Sequence, residues 1–172
     1  MTALADLAFF PYLTEDGQLI DRFDGKTGAY AIFDQHKTLQ YIGYSRDVSL
    51  SLKQHLVRQP QRCYWVKVET IDRPNRTALE ALRDGWIAEN GAVPAGNGAE
   101  SAGWNQAIDA KARMTPAEQS AYADSDDLGR IKTLKKAARR VEEEVVAALE
   151  ARGAKLAVRF DPKQKEKGLL DL

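Results

Sequence analysis

The chain has 172 residues, 44% of them hydrophobic, and its 25 basic and 25 acidic side chains cancel to a formal net charge of zero. That much apolar material makes a folded core rather than a disordered chain. The charge balance excludes a global basic field, so any contact with nucleic acid has to come from a local patch. The single cysteine, Cys63, excludes an internal disulfide and a four-cysteine zinc site, and it points to a reducing, cytoplasmic setting. The N-terminal stretch contains Asp6 and lacks a basic region, so it makes a poor signal peptide. No apolar run approaches the roughly 20 residues needed to cross a bilayer, so the expectation is a soluble protein without a membrane partner.

Residues 1–26 read as a lead-in, with short apolar pieces separated by Thr14-Glu15-Asp16-Gly17. Two runs rich in aromatic and β-branched residues follow, Gly28 to Phe33 and Leu39 to Tyr44. The short polar connection from Asp34 to Thr38 makes them a β-hairpin. Asp47 is placed to cap a helix running to about Arg58, where Pro60 stops it. A third strand is expected over Cys63 to Val68. A helix is expected over Pro74 to Glu89, with Leu79, Leu82, Trp86 and Ile87 on one side, ended by Gly91 and Pro94. The order ββαβα implies an α+β fold, a small antiparallel sheet flanked by helices.

From Gly96 to Gly103 the composition turns to glycine, alanine and polar residues, which reads as a loop, and residues 99–126 as a linker with one short helix beginning at Thr115-Pro116-Ala117-Glu118. Residues 127–172 hold the longest helical pattern, Leu128 to Arg152, with Ile131, Leu134, Ala138, Val141, Val145 and Leu149 on one face. Gly153 ends it and Leu156 to Phe160 reads as a closing strand. So continuous an apolar stripe predicts docking on the core or on a second copy, with Lys132, Lys136 and Arg140 turned to solvent.

Gly28-Ala29-Tyr30, then ten residues, then Tyr41-Ile42-Gly43, followed by Pro94-Ala95-Gly96-Asn97, resembles the paired strand motifs and terminal asparagine of the GIY-YIG nuclease superfamily over residues 27–98. Within it, the run around Ser45-Arg46, the segment Ser51 to His55, Cys63, Trp86-Ile87 and Val93-Pro94 resemble the N-terminal domain of plant chloroplast monothiol glutaredoxins. The glutaredoxin motif Cys-Gly-Phe-Ser is absent from this sequence, so the resemblance implies a stand-alone relative of cyanobacterial type.

The resemblance implies metal-dependent phosphodiester hydrolysis with Mg²⁺ or Mn²⁺. Tyr30 and Tyr41 take the water-positioning places, His55 the place of the helical histidine, and Glu80 that of the metal ligand. Asn97 and Gly43 brace the site. Tyrosines on strands also serve as plain packing residues. The arginine of the family falls eight residues after Gly43, where this chain has Ser51. A cation on a transferring phosphoryl group is worth about 10³ to 10⁵ in rate, and serine supplies none; Arg46 is the neighbouring candidate to stand in. For the metal ligand, the register before Trp86-Ile87 points to Arg83, with Glu80 one turn earlier. The resemblance therefore implies a nucleic-acid-binding protein, for DNA before RNA, with hydrolysis weakened or lost. Its contacts would include the stripe Lys132, Lys136 and Arg140, although the same cations also suit a solvated face paired with Glu142-Glu143-Glu144. The other reading is a non-catalytic module for a protein partner, redox-responsive through Cys63 if that thiol is exposed and acidic.

Overall fold

The computed structural model describes residues 2–172. The two aromatic-rich runs pair as β2 (Thr27–Phe33) and β3 (Leu39–Ser45), with Tyr30 opposite Gly43. Asp34 closes the hairpin, its Oδ1 accepting from the backbone N–H of His36 and of Thr38, both at 2.9 Å. Strand β4 (Trp65–Ile71) pairs with the other edge of β2, and β1 (Phe10–Pro11) adds outside β4. The main sheet is antiparallel with order β1–β4–β2–β3. The third strand thus begins two residues later than its composition suggests, because Cys63 and Tyr64 form an irregular approach to it.

Side-chain alternation sorts the sheet into two faces. Tyr30, Ile32, Tyr41, Val66 and Val68 face α1 (Val48–Arg58) and the long helix α5 (Asp127–Arg152). Ala29, Ala31, Phe33 and Ile42 face α2 (Arg76–Asn90), where the two alanines leave room for Trp86. The N-terminal segment closes this second face. Leu4 is buried there, and Glu89 accepts from the N–H groups of Leu4 and Ala5 at 2.8 Å each.

Local signals set the helix ends. Asp47 Oδ1 accepts from Leu50 N at 3.2 Å, and Asn75 caps α2 in the same way through Ala78 N at 3.1 Å. Gly91 and Gly153 take left-handed conformations that end α2 and α5. Thr115 and Glu118 form a reciprocal capping box at α4 (Pro116–Ala123).

Three expectations are corrected here. The segment after Gly96 is not an open linker. It folds into a 3₁₀ turn (Ala95–Asn97) and α3 (Ser101–Asn105), anchored by the fully buried Trp104. Leu156 to Phe160 forms no strand, because neither sheet edge reaches it. The closing pair is instead β5 (Ile108–Asp109) with β6 (Leu169–Leu170), preceded by the short α6 (Pro162–Lys165). Finally, α5 docks on the same apolar core as α1 and the sheet through Leu134, Ala138, Val141, Val145 and Leu149, but Ile131 stays 38% exposed. At about 1.5–3 kcal/mol for each fully buried Leu or Val, the docked face supplies on the order of 6–12 kcal/mol before chain entropy. A charge at Val141 would undo it. Among the described residues, no helix is long and apolar enough to cross a membrane.

Candidate functional site

Strand β2 brings Tyr30 and strand β3 brings Tyr41 to the same face, and α1 lays His55 across them. The Tyr30 hydroxyl and His55 Nε2 share a hydrogen bond of 2.8 Å, and the Tyr41 and His55 rings are 4.6 Å apart. Gly43 is needed at its place on β3. A Cβ there would stand 2.6 Å from the Tyr41 ring and 2.8 Å from the Tyr30 hydroxyl. Asn97 braces the strand from outside. Its Oδ1 accepts from Ile42 N at 2.8 Å and its Nδ2 donates to Ile42 O at 2.7 Å, so one side-chain amide pairs the free edge of β3.

The sequence predicts that Tyr30, Tyr41, His55 and Asn97 meet on one concave surface. Tyr30, Tyr41 and His55 do meet but are buried, and of the three only Tyr41 lines the cleft of about 410 Å³ that also holds Gly43 and Asn97. Trp104 covers the three, stacked on Tyr41 with ring planes 2° apart and centroids at 5.3 Å, and 5.7 Å from His55. Gly96 makes the fit possible, since a Cβ there would come within 2.9 Å of the indole. Asn105 adds a clasp by accepting from the Tyr41 hydroxyl at 2.7 Å. Arg58 Nη1 donates to Trp104 O at 3.0 Å, tying the cover to α1.

Burial sets the protonation of this group. It pushes the Tyr30 phenol well above its ordinary range, with Tyr41 adding to the effect. It lowers His55 to about 3, with the Arg58 guanidinium contributing. A neutral phenol and a neutral imidazole therefore share the bond, and neither partner is poised as a base near neutrality. The other ring nitrogen, His55 Nδ1, has no hydrogen-bond partner among the described residues.

The remaining predicted residues do not join the group. Ser51 donates to Ser45 Oγ at 2.8 Å, and no cation occupies its place on α1. Arg46 is exposed and lines a separate cleft with Tyr44 and Arg76. Glu80 lies beyond the sheet, on the α2 side, where it accepts from the Tyr44 hydroxyl at 3.1 Å and from Arg76 Nε at 2.7 Å. Those donors hold its carboxyl below the usual range. Arg83 sits 5.3 Å over the Tyr44 ring, on the same helix. A lone carboxylate between two guanidiniums does not fit Mg²⁺ or Mn²⁺, and no group of three His, Cys, Asp or Glu side chains among the described residues could hold a metal ion.

Two further assignments change. Cys63 is fully buried beside Tyr12, and burial pushes its thiol far up, the opposite of a redox-active cysteine. Arg140 is not turned freely to solvent. It is clamped between Glu118 at 2.9 Å and Glu144 at 2.7 Å, and donates to Arg113 O at 2.7 Å, which locks α4 against α5. Lys132 and Lys136 are exposed as expected.

No family model matches the chain. It is similar to a chloroplast glutaredoxin. Over 81 residues, 45% of this chain, it is 35% identical to the bifunctional monothiol glutaredoxin-S16 of Arabidopsis thaliana chloroplasts. The chain spans 28% of that relative's length. Sequence reasoning missed Trp104 and Asn105 as site residues. A tryptophan isolated in a small, polar stretch was the available signal, since so large an apolar surface seldom stays in water.

Proposed function

We propose that this chain is a nucleic-acid-binding module on a GIY-YIG-like frame that does not hydrolyse phosphodiesters. The observation that carries the reading is the cover. The tyrosine–histidine set is assembled, yet Trp104 packs over it and leaves Tyr30 and His55 buried, with Ser51 where a transition state needs a cation. Glu80, held by arginine, supports it as well, because no metal-activated water follows from that donor set. Contacts come from exposed cations, Lys132 and Lys136 on α5 among them.

A protein-partner reading has its own support in Leu128 and Val146 of α5, which are 70% and 41% exposed. One experiment separates the two. Single- and double-stranded DNA and RNA are titrated by fluorescence anisotropy in EDTA, then in Mg²⁺ and Mn²⁺, with cleavage followed on gels. The expected result is binding that weakens steeply with salt and no cleavage with either metal. Metal-dependent products would overturn the non-hydrolytic reading, and absence of binding at low salt would favour the protein partner.

A further inference from the structure

The sealed tyrosine set is not the only concave region. A cleft of about 400 Å³ opens between the end of β3 and the start of α2, walled by Tyr44 and Arg46 on one side and by Pro74, Arg76 and Leu79 on the other. Among the described residues no carboxylate lines it. Glu80, outside the lining, is engaged by the Tyr44 hydroxyl and by Arg76 Nε. Those two bonds hold Tyr44 and Arg76 against one carboxylate, while the Arg76 side chain stays 83% exposed with neither Nη group in a hydrogen bond among the described residues. Arg46 is anchored at its backbone, its carbonyl accepting from Thr27 Oγ1 at 3.0 Å, and its side chain makes no ion pair among the described residues.

The lining restricts what fits. Two guanidinium forks without a lining carboxylate repel a divalent cation and suit a compact dianion, which such forks grip through paired N–H donors. The Tyr44 ring, Pro74 and Leu79 form an apolar wall beside those donors, which suits a flat, uncharged ring. The volume is that of a site for a small molecule, within the roughly 300–1,000 Å³ typical of ligand pockets.

We infer that this cleft binds a phosphate monoester with a flat ring next to it, the chemistry shared by a nucleoside monophosphate and the 5′-phosphorylated end of a nucleic-acid strand. It reads a terminal phosphate rather than a phosphodiester run, and so goes beyond general nucleic-acid binding.

Calorimetry in EDTA tests it with AMP, adenosine and inorganic phosphate, and with one short oligonucleotide carrying either a 5′-phosphate or a 5′-hydroxyl. AMP, the phosphorylated strand, or both are expected to bind at least about tenfold more tightly than the unphosphorylated counterpart, the scale of one charge-assisted contact. Which of the two does so tells the free nucleotide from the strand end. Arg46→Gln with Arg76→Gln should weaken that binding about tenfold or more. Amide chemical shifts should move around Tyr44 and Arg76. Equal binding of both phosphorylated and unphosphorylated probes overturns the site, as does an unchanged affinity in the arginine double variant. Long DNA bound without any preference for a terminal phosphate would retain the general nucleic-acid reading and remove this one; AMP bound without DNA would do the reverse.

Discussion

Replacing Trp104 by alanine uncovers the tyrosine–histidine group, and its cost follows from the packing. The indole is wholly buried, stacked on Tyr41 and in contact with Gly96. Truncating so large a buried ring costs about 3–5 kcal/mol, which for a domain of this size lowers the melting temperature by roughly 6–20 °C. The same change admits water to His55, whose value of about 3 results first from burial. Removing the cover should therefore raise it toward the ordinary 6.5 or so of a solvated imidazole. Calorimetric melting gives the first quantity and NMR titration of the histidine ring protons gives the second. A loss of stability below about 1 kcal/mol together with an unmoved His55 titration would refute the argument that Trp104 is the seal. Uncovering alone should not create cleavage, because Ser51 still leaves the site without its cation.

Other expectations concern the same region. Ser51→Arg alone should give no cleavage, since Trp104 still covers Tyr30 and His55; only Ser51→Arg combined with Trp104→Ala both supplies a cation and uncovers the group, and nuclease gels compare the two. His55 binds a proton readily when unfolded and poorly when folded. Its contribution to stability is therefore full above pH 6.5 or so and is lost as pH falls toward about 3. Chemical denaturation should show a slope near 1.4 kcal/mol per pH unit, to order of magnitude, around pH 5, and His55→Gln should flatten it. Cys63 should resist a chromogenic disulfide reagent in the native protein and react as one thiol per chain in denaturant; fast native labelling would contradict its burial.

The parts of the fold that the sequence announces are those with local causes. The hairpin follows from two aromatic runs around a polar turn. Helices α1 and α4 follow from the Asp47 cap and the Thr115–Glu118 box, and the end of α5 follows from Gly153. What stays hidden depends on partners far along the chain. Strand β1 is two residues long and contains a proline, so it has no periodicity to detect; it exists because β4 offers an edge. Leu156 to Phe160 has the alternation of a strand but no edge to pair with. The site divides the same way. Tyr30, Tyr41 and His55 are legible because hairpin register and helical spacing bring them together. The clamp on Arg140 depends on α4, and the seal on Tyr41 depends on α3. Composition alone shows neither.

The amide of Asn97 that closes the edge of β3 is followed directly by Gly98, the pairing most prone to spontaneous deamidation through a cyclic imide. The folded protein holds that chemistry back. Both side-chain atoms of Asn97 are bonded to Ile42, and the attacking nitrogen of Gly98 donates to Ala95 O at 3.2 Å. Deamidation there would exchange an N–H donor for a carboxylate oxygen facing the Ile42 carbonyl, turning an attraction into a repulsion at the same spot. Chemical ageing of this chain is thereby coupled to how often β3 lets go of its brace, and a form that had aged at Asn97 would keep the edge of its sheet open.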